Sequence, residues 1–484
     1  MGIVVTQSIK NTLITYIGFG IGAINTLFLY TKFMSPEYYG LIGYILSSAL
    51  IMMPLMAFGV HNTIIKFYSS FKTRQSQGSF LTLMLLLPLA IIIPIGLVGY
   101  LSFELIITWL SKENAIIKDY VWLIYICAIA FAYFEIFYAW SKVQMKSVFG
   151  NFMKEVFHRI CITVLLFCLY TNYLTINQLI YSITGVYVLR MLIMKIYAFS
   201  FRLPVLKFQK INNLPDILKY TSLIIIAGSV GTVILEIDKF MLGHYIAIEN
   251  VAFYGVAIFI ATVIGVPARS MNQIMNPLTA KLLNDNNKSE LLNLYQKSSL
   301  NLFVIGGLIF LLITLNINEL YELIPEEFSG GILVVFLISF SKLMDNLLGN
   351  NNAILFNSNY YSVVLVLGFF LAVITVILNI LLIPKYGING AAFATFISVI
   401  VYNISKILFV QYKFKMIPFT THTAKTFVLI LVSIGVFYYW EFPFHAVVNI
   451  VLKSMIISIF YVFIIYRFRF SEDIAIILDK FLKR

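Results

Sequence analysis

Glu236-Ile-Asp-Lys-Phe-Met-Leu-Gly243 places two carboxylates at the end of an apolar run that begins near Leu223, and Val251-Ala-Phe-Tyr-Gly-Val-Ala257 follows it. Charge at such depth in an apolar helix is costly, so it points to function before packing. The stretch has an earlier echo. Lys32-Phe33-Met34 precedes Tyr39-Gly40 much as Lys239-Phe240-Met241 precedes Tyr254-Gly255. The tripeptides lie 207 residues apart and the Tyr-Gly pairs 215, so the second copy carries a longer loop. A chain that repeats at nearly half its length reads as two similar helical bundles in tandem.

The composition around this stretch sets the class. Sixty-one per cent of the 484 residues are hydrophobic and 11% charged, whereas soluble globular domains carry about 25% charged residues. Apolar runs of roughly 20 residues, the length that crosses a hydrocarbon core, recur throughout. The runs are continuous, not alternating, so they predict helices and not a barrel. The expected fold class is an all-α integral membrane protein of about fourteen spans. These fall near 10–33, 41–65, 80–103, 116–140, 154–172, 177–201, 216–243, 250–275, 296–317, 330–350, 361–383, 388–411, 424–440 and 446–466. The first run is too long for a signal-peptide core and reads as a retained span. Residues 1–203 form the expected N-lobe with spans 1–6, and 204–215 a basic connector with Pro204, Lys207, Lys210 and Pro215. Residues 216–415 form the C-lobe with spans 7–12, and 416–484 hold spans 13 and 14 and a basic tail.

Charge gives the orientation. Twenty-five of the 34 lysines and arginines fall on the side shared by both termini, from Lys10 through Lys66, Lys72 and Arg74 to Arg467, Arg469, Lys480, Lys483 and Arg484. The opposite loops hold Lys32, Lys112, Lys118, Lys239 and Lys385, and the acid-rich loop Glu319 to Glu327 lies there too. The asymmetry predicts cytoplasmic termini. The net charge of +13 is then membrane topology, spread over short loops, and predicts no nucleic-acid partner. Cys127, Cys161 and Cys168 lie in apolar runs and form no paired motif.

Enzyme chemistry finds no support. There is no Walker A loop, and the five histidines follow no metal-ligand spacing. Gly18-Phe-Gly-Ile-Gly22 sits mid-span without a preceding strand, and close helix contact explains it. What remains is a short set of polar groups inside the bilayer. Arg269, beside Asn272, Gln273 and Asn276 and two residues after Pro267, must face a partner or a watery cavity. A guanidinium suits a phosphate; the alternative is an ion pair with Glu135, Glu236 or Asp345. His61, Asn62 and Lys66 in span 2 and Asn25 in span 1 join the substrate candidates, with Lys66 also placed to snorkel. Asn62 lies 210 residues before Asn272. Glu135 precedes the aromatic stretch with Tyr138 and Trp140, Lys342 and Asp345 are spaced for a helix ion pair, and Arg190 is expected to snorkel. The segment Asn346 to Asn359 reads as an uncharged cytoplasmic connector.

Asn379-Ile-Leu-Leu-Ile-Pro-Lys-Tyr-Gly-Ile-Asn-Gly-Ala-Ala-Phe-Ala-Thr395 resembles the span 11–12 signature of the polysaccharide-export (Wzx-like, O-antigen flippase) family. Asp238-Lys-Phe-Met-Leu-Gly243 with Phe253-Tyr-Gly-Val-Ala257 is similar to its span 7–8 element, and Phe58-Gly59-Val60 with Lys66-Phe67-Tyr68 to its span 2 pattern. In the signature, Pro384 and Gly387 are expected to make a tight turn, and Gly390, Ala391, Ala392 and Ala394 to let span 12 approach span 11. The resemblance reaches over the whole chain. It implies a multidrug/oligosaccharidyl-lipid/polysaccharide (MOP) exporter fold, two six-helix lobes in a V around a cavity, working by alternating access in a bacterial cytoplasmic (inner) membrane. The implied cargo is an undecaprenyl-diphosphate-linked oligosaccharide, with other polysaccharide-assembly membrane proteins as partners and Arg269 on the diphosphate. Similarity to lipid II flippases further implies an ion site of Asp238 or Glu236 with Thr375, Asn379 and Thr395. Asn379 stands where that site has its second carboxylate, which weakens it as a hard-cation site; no cofactor is expected beyond coupling to Na+ or H+. An interfacial Asp238 paired with Lys239 is the bland reading. A MATE-like drug or cation extruder, a membrane polymerase or glycosyltransferase, and an assembly scaffold are the competing functions.

Overall fold

The computed structural model describes residues 3–205, 211 and 213–482, and within them the chain is helical with no strand. In lipid only the helix satisfies every backbone group of an isolated segment, so this architecture follows from the hydropathy. Helix α1 runs Ile3–Ala23 and passes through a π-helical turn, Ile24–Leu29, to Tyr30–Phe33. Next come α2 (Pro36–Met56, resuming as Val60–Phe67 after Gly59), α3 (Arg74–Leu101) and α4 (Ala115–Lys142). Helix α5 runs Ser147–Phe152, a second π-helical turn Met153–Phe157, and His158–Tyr170; α6 spans Ile176–Phe201. The second half holds α7 (Leu214–Tyr245), α8 (Glu249–Thr262, then Val266–Asn284), α9 (Lys288–Thr314) and α10 (Ile332–Leu347). Tyr361–Phe414 is one helical run with a kink at Gly387, giving α11 (361–386) and α12 (388–414). Helices α13 (Thr421–Phe437), α14 (Ala446–Arg467) and α15 (Glu472–Leu482) complete the chain. Every expected span has its helix. Lys207, Lys210, Lys483 and Arg484 lie outside the described residues, as does the side chain of Gln273.

The signature turn is tighter than expected. Pro384 stays within the helical run, and Gly387 alone leaves it, with φ +55° and ψ −133°. That backbone region is open to glycine and to almost nothing else. Helix α12 restarts at once, and Ala391, Ala392 and Ala394 are fully buried.

The chain packs into two compact units, Met1–Ala252 with Asn379–Gly387, and Phe253–Leu378 with Ile388–Arg484. The expected lobes divide the chain by its repeat, at the connector 204–215; packing groups α7 with α1–α6. In the first unit α7 lies along α2, and α4 packs on α2 and α6. Helices α1 and α5 meet through the glycines read as a close-contact seam. A Cβ on Gly18 would strike the Glu155 carbonyl, and one on Gly22 would come within 3.2 Å of the Arg159 side chain. Small residues let helix backbones approach where lipid offers no hydrophobic drive. In the second unit α9 is the hub, packing on α8, α10, α13 and α14. The Asn-rich segment Asn346 to Asn359 is interior at Asn346, Asn350 and Asn351 and exposed at Asn352, Asn357 and Asn359. Asn346 donates to the Ile264 carbonyl at 3.1 Å, Asn350 to Thr279 Oγ1 at 2.8 Å and Asn351 to the Tyr295 hydroxyl at 2.6 Å.

Candidate functional site

The stretch at the end of α7 resolves into two different carboxylates. Two helical positions apart, their side chains point about 200° from each other. Glu236 accepts from Ser47 Oγ of α2 at 2.6 Å and pairs with Lys239 at 3.0 Å. Lys239 thus holds its ion pair with Glu236. Asp238 is buried, 1% exposed, and its Oδ1 accepts from Asn379 Nδ2 of α11 at 2.7 Å. Asn379 is itself fully buried, and its Oδ1 has no hydrogen-bond partner. A buried carboxylate beside an unsatisfied amide oxygen is a set of acceptors that suits a small cation or a proton. Thr375 and Thr395 belong to the second unit; both are buried, and Thr375 donates to the Leu371 carbonyl at 2.8 Å. Among the described residues no three metal-ligating side chains cluster.

The first unit holds a larger polar interior than its sequence suggested. Glu135 of α4 pairs with Lys154 of α5 at 2.6 Å. His61 follows the Gly59 break, and its Nε2 lies 3.1 Å from Asn62 Nδ2. Lys66 is exposed, its ammonium 3.7 Å from the Tyr220 ring centroid of α7. Asn25 sits in the π-turn of α1 with its amide engaged at both ends, donating to the Arg159 carbonyl at 2.9 Å and accepting from Thr163 at 2.7 Å. It clasps α1 to α5. Arg190 does not snorkel. It lies mid-way along α6, 7% exposed, with its guanidinium carbon 4.2 Å from the Phe134 ring centroid and 4.9 Å from that of Tyr187. Aromatic faces replace the water that a membrane denies it.

In the second unit Arg269 is exposed in the first turns of the second segment of α8. Arg269, Asn272 and Asn276 recur at i, i+3 and i+7, so they share one face, and all three are at least partly exposed. This is a polar stripe on a helix of a membrane protein. Each of the acids named with it in the sequence analysis has a lysine beside it: Lys154 for Glu135, Lys239 for Glu236, and Lys342, at 3.5 Å, for Asp345; Arg269 itself has an interaction of its own.

Sequence reasoning missed the group around Asp345. Asn403 of α12 donates to Asp345 Oδ1 at 2.6 Å. Lys406 of α12 is 3% exposed, donates to Asn352 at 3.2 Å and lies 4.1 Å from the Tyr402 ring centroid. The signal was present: Val399, Asn403, Lys406 and Val410 follow helical spacing along one buried face. Asp345 also lies 210 residues after Glu135, the spacing of Asn62 and Asn272, so both halves carry a lysine-paired acid at corresponding positions.

A family described as MatE matches residues 224–327, and no curated protein sequence matches the chain. Solved structures do. The lipid II flippase MurJ, in an inward closed conformation, aligns with a TM-score of 0.75 and 15% identity over 96% of this chain and 100% of that one. An inward-facing multidrug resistance MATE family transporter of the MOP superfamily aligns at 0.60 and 14%, over 85% and 94%. A mutant of the Vibrio cholerae MATE transporter VcmN aligns at 0.58 and 13%, over 86% and 98%. At such identities the likeness speaks for the fold: this chain is an all-helical, multi-pass membrane protein with the fold of the MOP-superfamily transporters.

Proposed function

We propose that the chain is a flippase that carries an undecaprenyl-diphosphate-linked oligosaccharide from the cytoplasmic to the outer leaflet of a bacterial cytoplasmic membrane, by alternating access and without enzymatic chemistry. The observation that carries this reading is the exposed stripe of Arg269, Asn272 and Asn276 on α8, within a fold shared end to end with a protein described as a lipid II flippase. A planar cation with flanking amides binds a diphosphate through charge-assisted, two-pronged hydrogen bonds. The lysine and arginine asymmetry supports cytoplasmic termini. Asp238 and Asn379 serve as the coupling site, taking up a monovalent ion or a proton, since one carboxylate is a thin ligand set for a divalent cation.

The test follows surface polysaccharide and the inner-leaflet lipid-linked intermediate in cells. Arg269→Ala, at normal protein level, is expected to cut export about tenfold or more, the worth of a charged hydrogen bond, while the intermediate accumulates. Arg269→Lys recovers only part of it. Unchanged export removes Arg269 from the substrate path. The MatE match over residues 224–327 favours a drug extruder as the second reading; a deletion that spares surface glycan but raises sensitivity to cationic drugs would select it.

A further inference from the structure

At the end of the first unit where α3 begins and α6 ends, a cavity of about 380 Å³ is lined by Arg74, Gly78, Phe199, Arg202, Pro204 and Val205. Its walls differ sharply. Arg202 Nη1 donates to Gln77 Oε1 at 2.5 Å and to the Tyr68 hydroxyl at 3.1 Å. Those acceptors are fixed in turn, for Gln77 Nε2 donates to the Phe71 carbonyl at 2.9 Å and Gln144 Nε2 to Tyr68 at 2.7 Å. Two neutral oxygens therefore aim one edge of the guanidinium, and among the described residues no carboxylate pairs with Arg202 or Arg74.

In sequence the acids that flank this region are Glu37, Glu104, Glu155 and Asp216. Residues 38–103 and 156–215, which supply the lining, contain no Asp or Glu but include Lys66, Lys72, Arg74, Lys195 and Arg202. The first turn of α3, capped by Thr73 accepting from the Ser76 amide at 3.1 Å, adds the positive end of a helix to the same rim. The floor is Phe199 and Phe201, with Val205 held by its amide donating to Thr82 at 2.9 Å. Gly78 keeps the cavity open and the chain close, since a Cβ there would lie 2.8 Å from Val205.

A cationic rim over an apolar floor, where membrane helices end, matches one kind of molecule. We propose that this cavity binds the phosphate headgroup of an anionic phospholipid, with Arg74 and Arg202 on the phosphate and the glycerol and first methylenes on Phe199, Phe201 and Val205. Basic pockets between helices at the membrane surface favour such lipids over zwitterionic ones. The site shares no residue with the Arg269 stripe and does not depend on what cargo the protein carries.

The test uses the full chain, purified and reconstituted in nanodiscs of phosphatidylcholine doped with phosphatidylglycerol, with retained lipid counted by native mass spectrometry after release into mild detergent. Wild type is expected to retain phosphatidylglycerol selectively. Each of Arg74→Gln and Arg202→Gln should weaken retention about fivefold, roughly the effect of one basic residue at an anionic surface. Gly78→Val should close the cavity and abolish retention with all charges kept, and Arg202→Lys, which keeps the charge, should retain most of it. Lys425→Gln, in the second unit, is the charge-matched control and should change nothing. Equal retention of phosphatidylcholine, or phosphatidylglycerol retention indifferent to Arg74, Arg202 and Gly78, overturns the proposal. Inorganic pyrophosphate added to lipid-free protein is the other arm. If it gives an Arg202-dependent rise in thermal stability while phosphatidylglycerol gives none, the cavity is a soluble-phosphate site and the lipid assignment falls.

Discussion

Lys453 and Glu319 offer a sharp test of how α14 is held. The ammonium of Lys453 on α14 lies 3.3 Å from Glu319 Oε1 on the short helix Ile317–Glu322, and the two side chains are 4% and 9% exposed. The pair is almost dry. Removing one partner leaves a buried, uncompensated charge, which costs about 3–5 kcal/mol, whereas replacing both by apolar residues of similar volume is often neutral or stabilising. Lys453→Met is therefore expected to lower the stability of the second unit by about that amount. For a cooperative unit of roughly 150–250 residues, each kcal/mol shifts the midpoint by about 2–4 °C, giving a fall of roughly 6–20 °C. The assay is thermal unfolding of the purified protein in detergent, followed by tryptophan emission and by loss of the monodisperse chromatographic peak. Lys453→Met combined with Glu319→Leu should return to within about 1 kcal/mol of the parent. A single variant as stable as the parent, or a double variant no better than the single, would refute the reasoning, because it would mean the charges are solvated.

Two further outcomes follow from the interior polar contacts and the glycine seam. Asp238→Asn should leave the fold intact, since the amide can still meet Asn379, but it should abolish the response of transport to an imposed proton or sodium gradient in proteoliposomes; a retained response removes Asp238 from coupling. Gly18→Leu places a side chain against the Glu155 backbone and should sharply reduce the yield of folded protein by fluorescence-detected chromatography. Gly20→Leu, with open space around its Cβ, should be tolerated.

Hydropathy and helical period made the helices and the Gly18–Gly22 seam legible, because both depend on local spacing. The ion pair of Lys342 with Asp345 was legible for the same reason. Arg190 and Lys406 were not. The position of a basic residue along the span does not reveal its burial, which depends on which way the helix face turns and on aromatic partners such as Phe134 and Tyr402. The expected connector Asn346 to Asn359 is buried in its first part for a related reason, since Asn350 and Asn351 close on Thr279 and Tyr295, many residues away and with no local trace. At the candidate site, the similarity to lipid II flippases alone put Asn379 with Asp238 or Glu236. The division of labour between Glu236 and Asp238 emerged only when Ser47 and Lys239 were seen to occupy Glu236.

The π-helical turns at Ile24–Leu29 and Met153–Phe157 each amount to one residue more than a regular helix needs for the same length of axis. Everything beyond such a turn is displaced by one place in the count, about 100° around the helix and 1.5 Å along it. Asn25 sits inside the first turn, while the Gly18–Gly22 seam lies just before it. Deleting one residue from Ile24–Leu29 would therefore let α1 run as a regular helix with its two ends still in phase: with the glycines seated on α5, Tyr30 and Thr31 would keep their buried face and Lys32 its exposed one. The π-turn is thus where α1 can lose a residue without changing the phase between its ends.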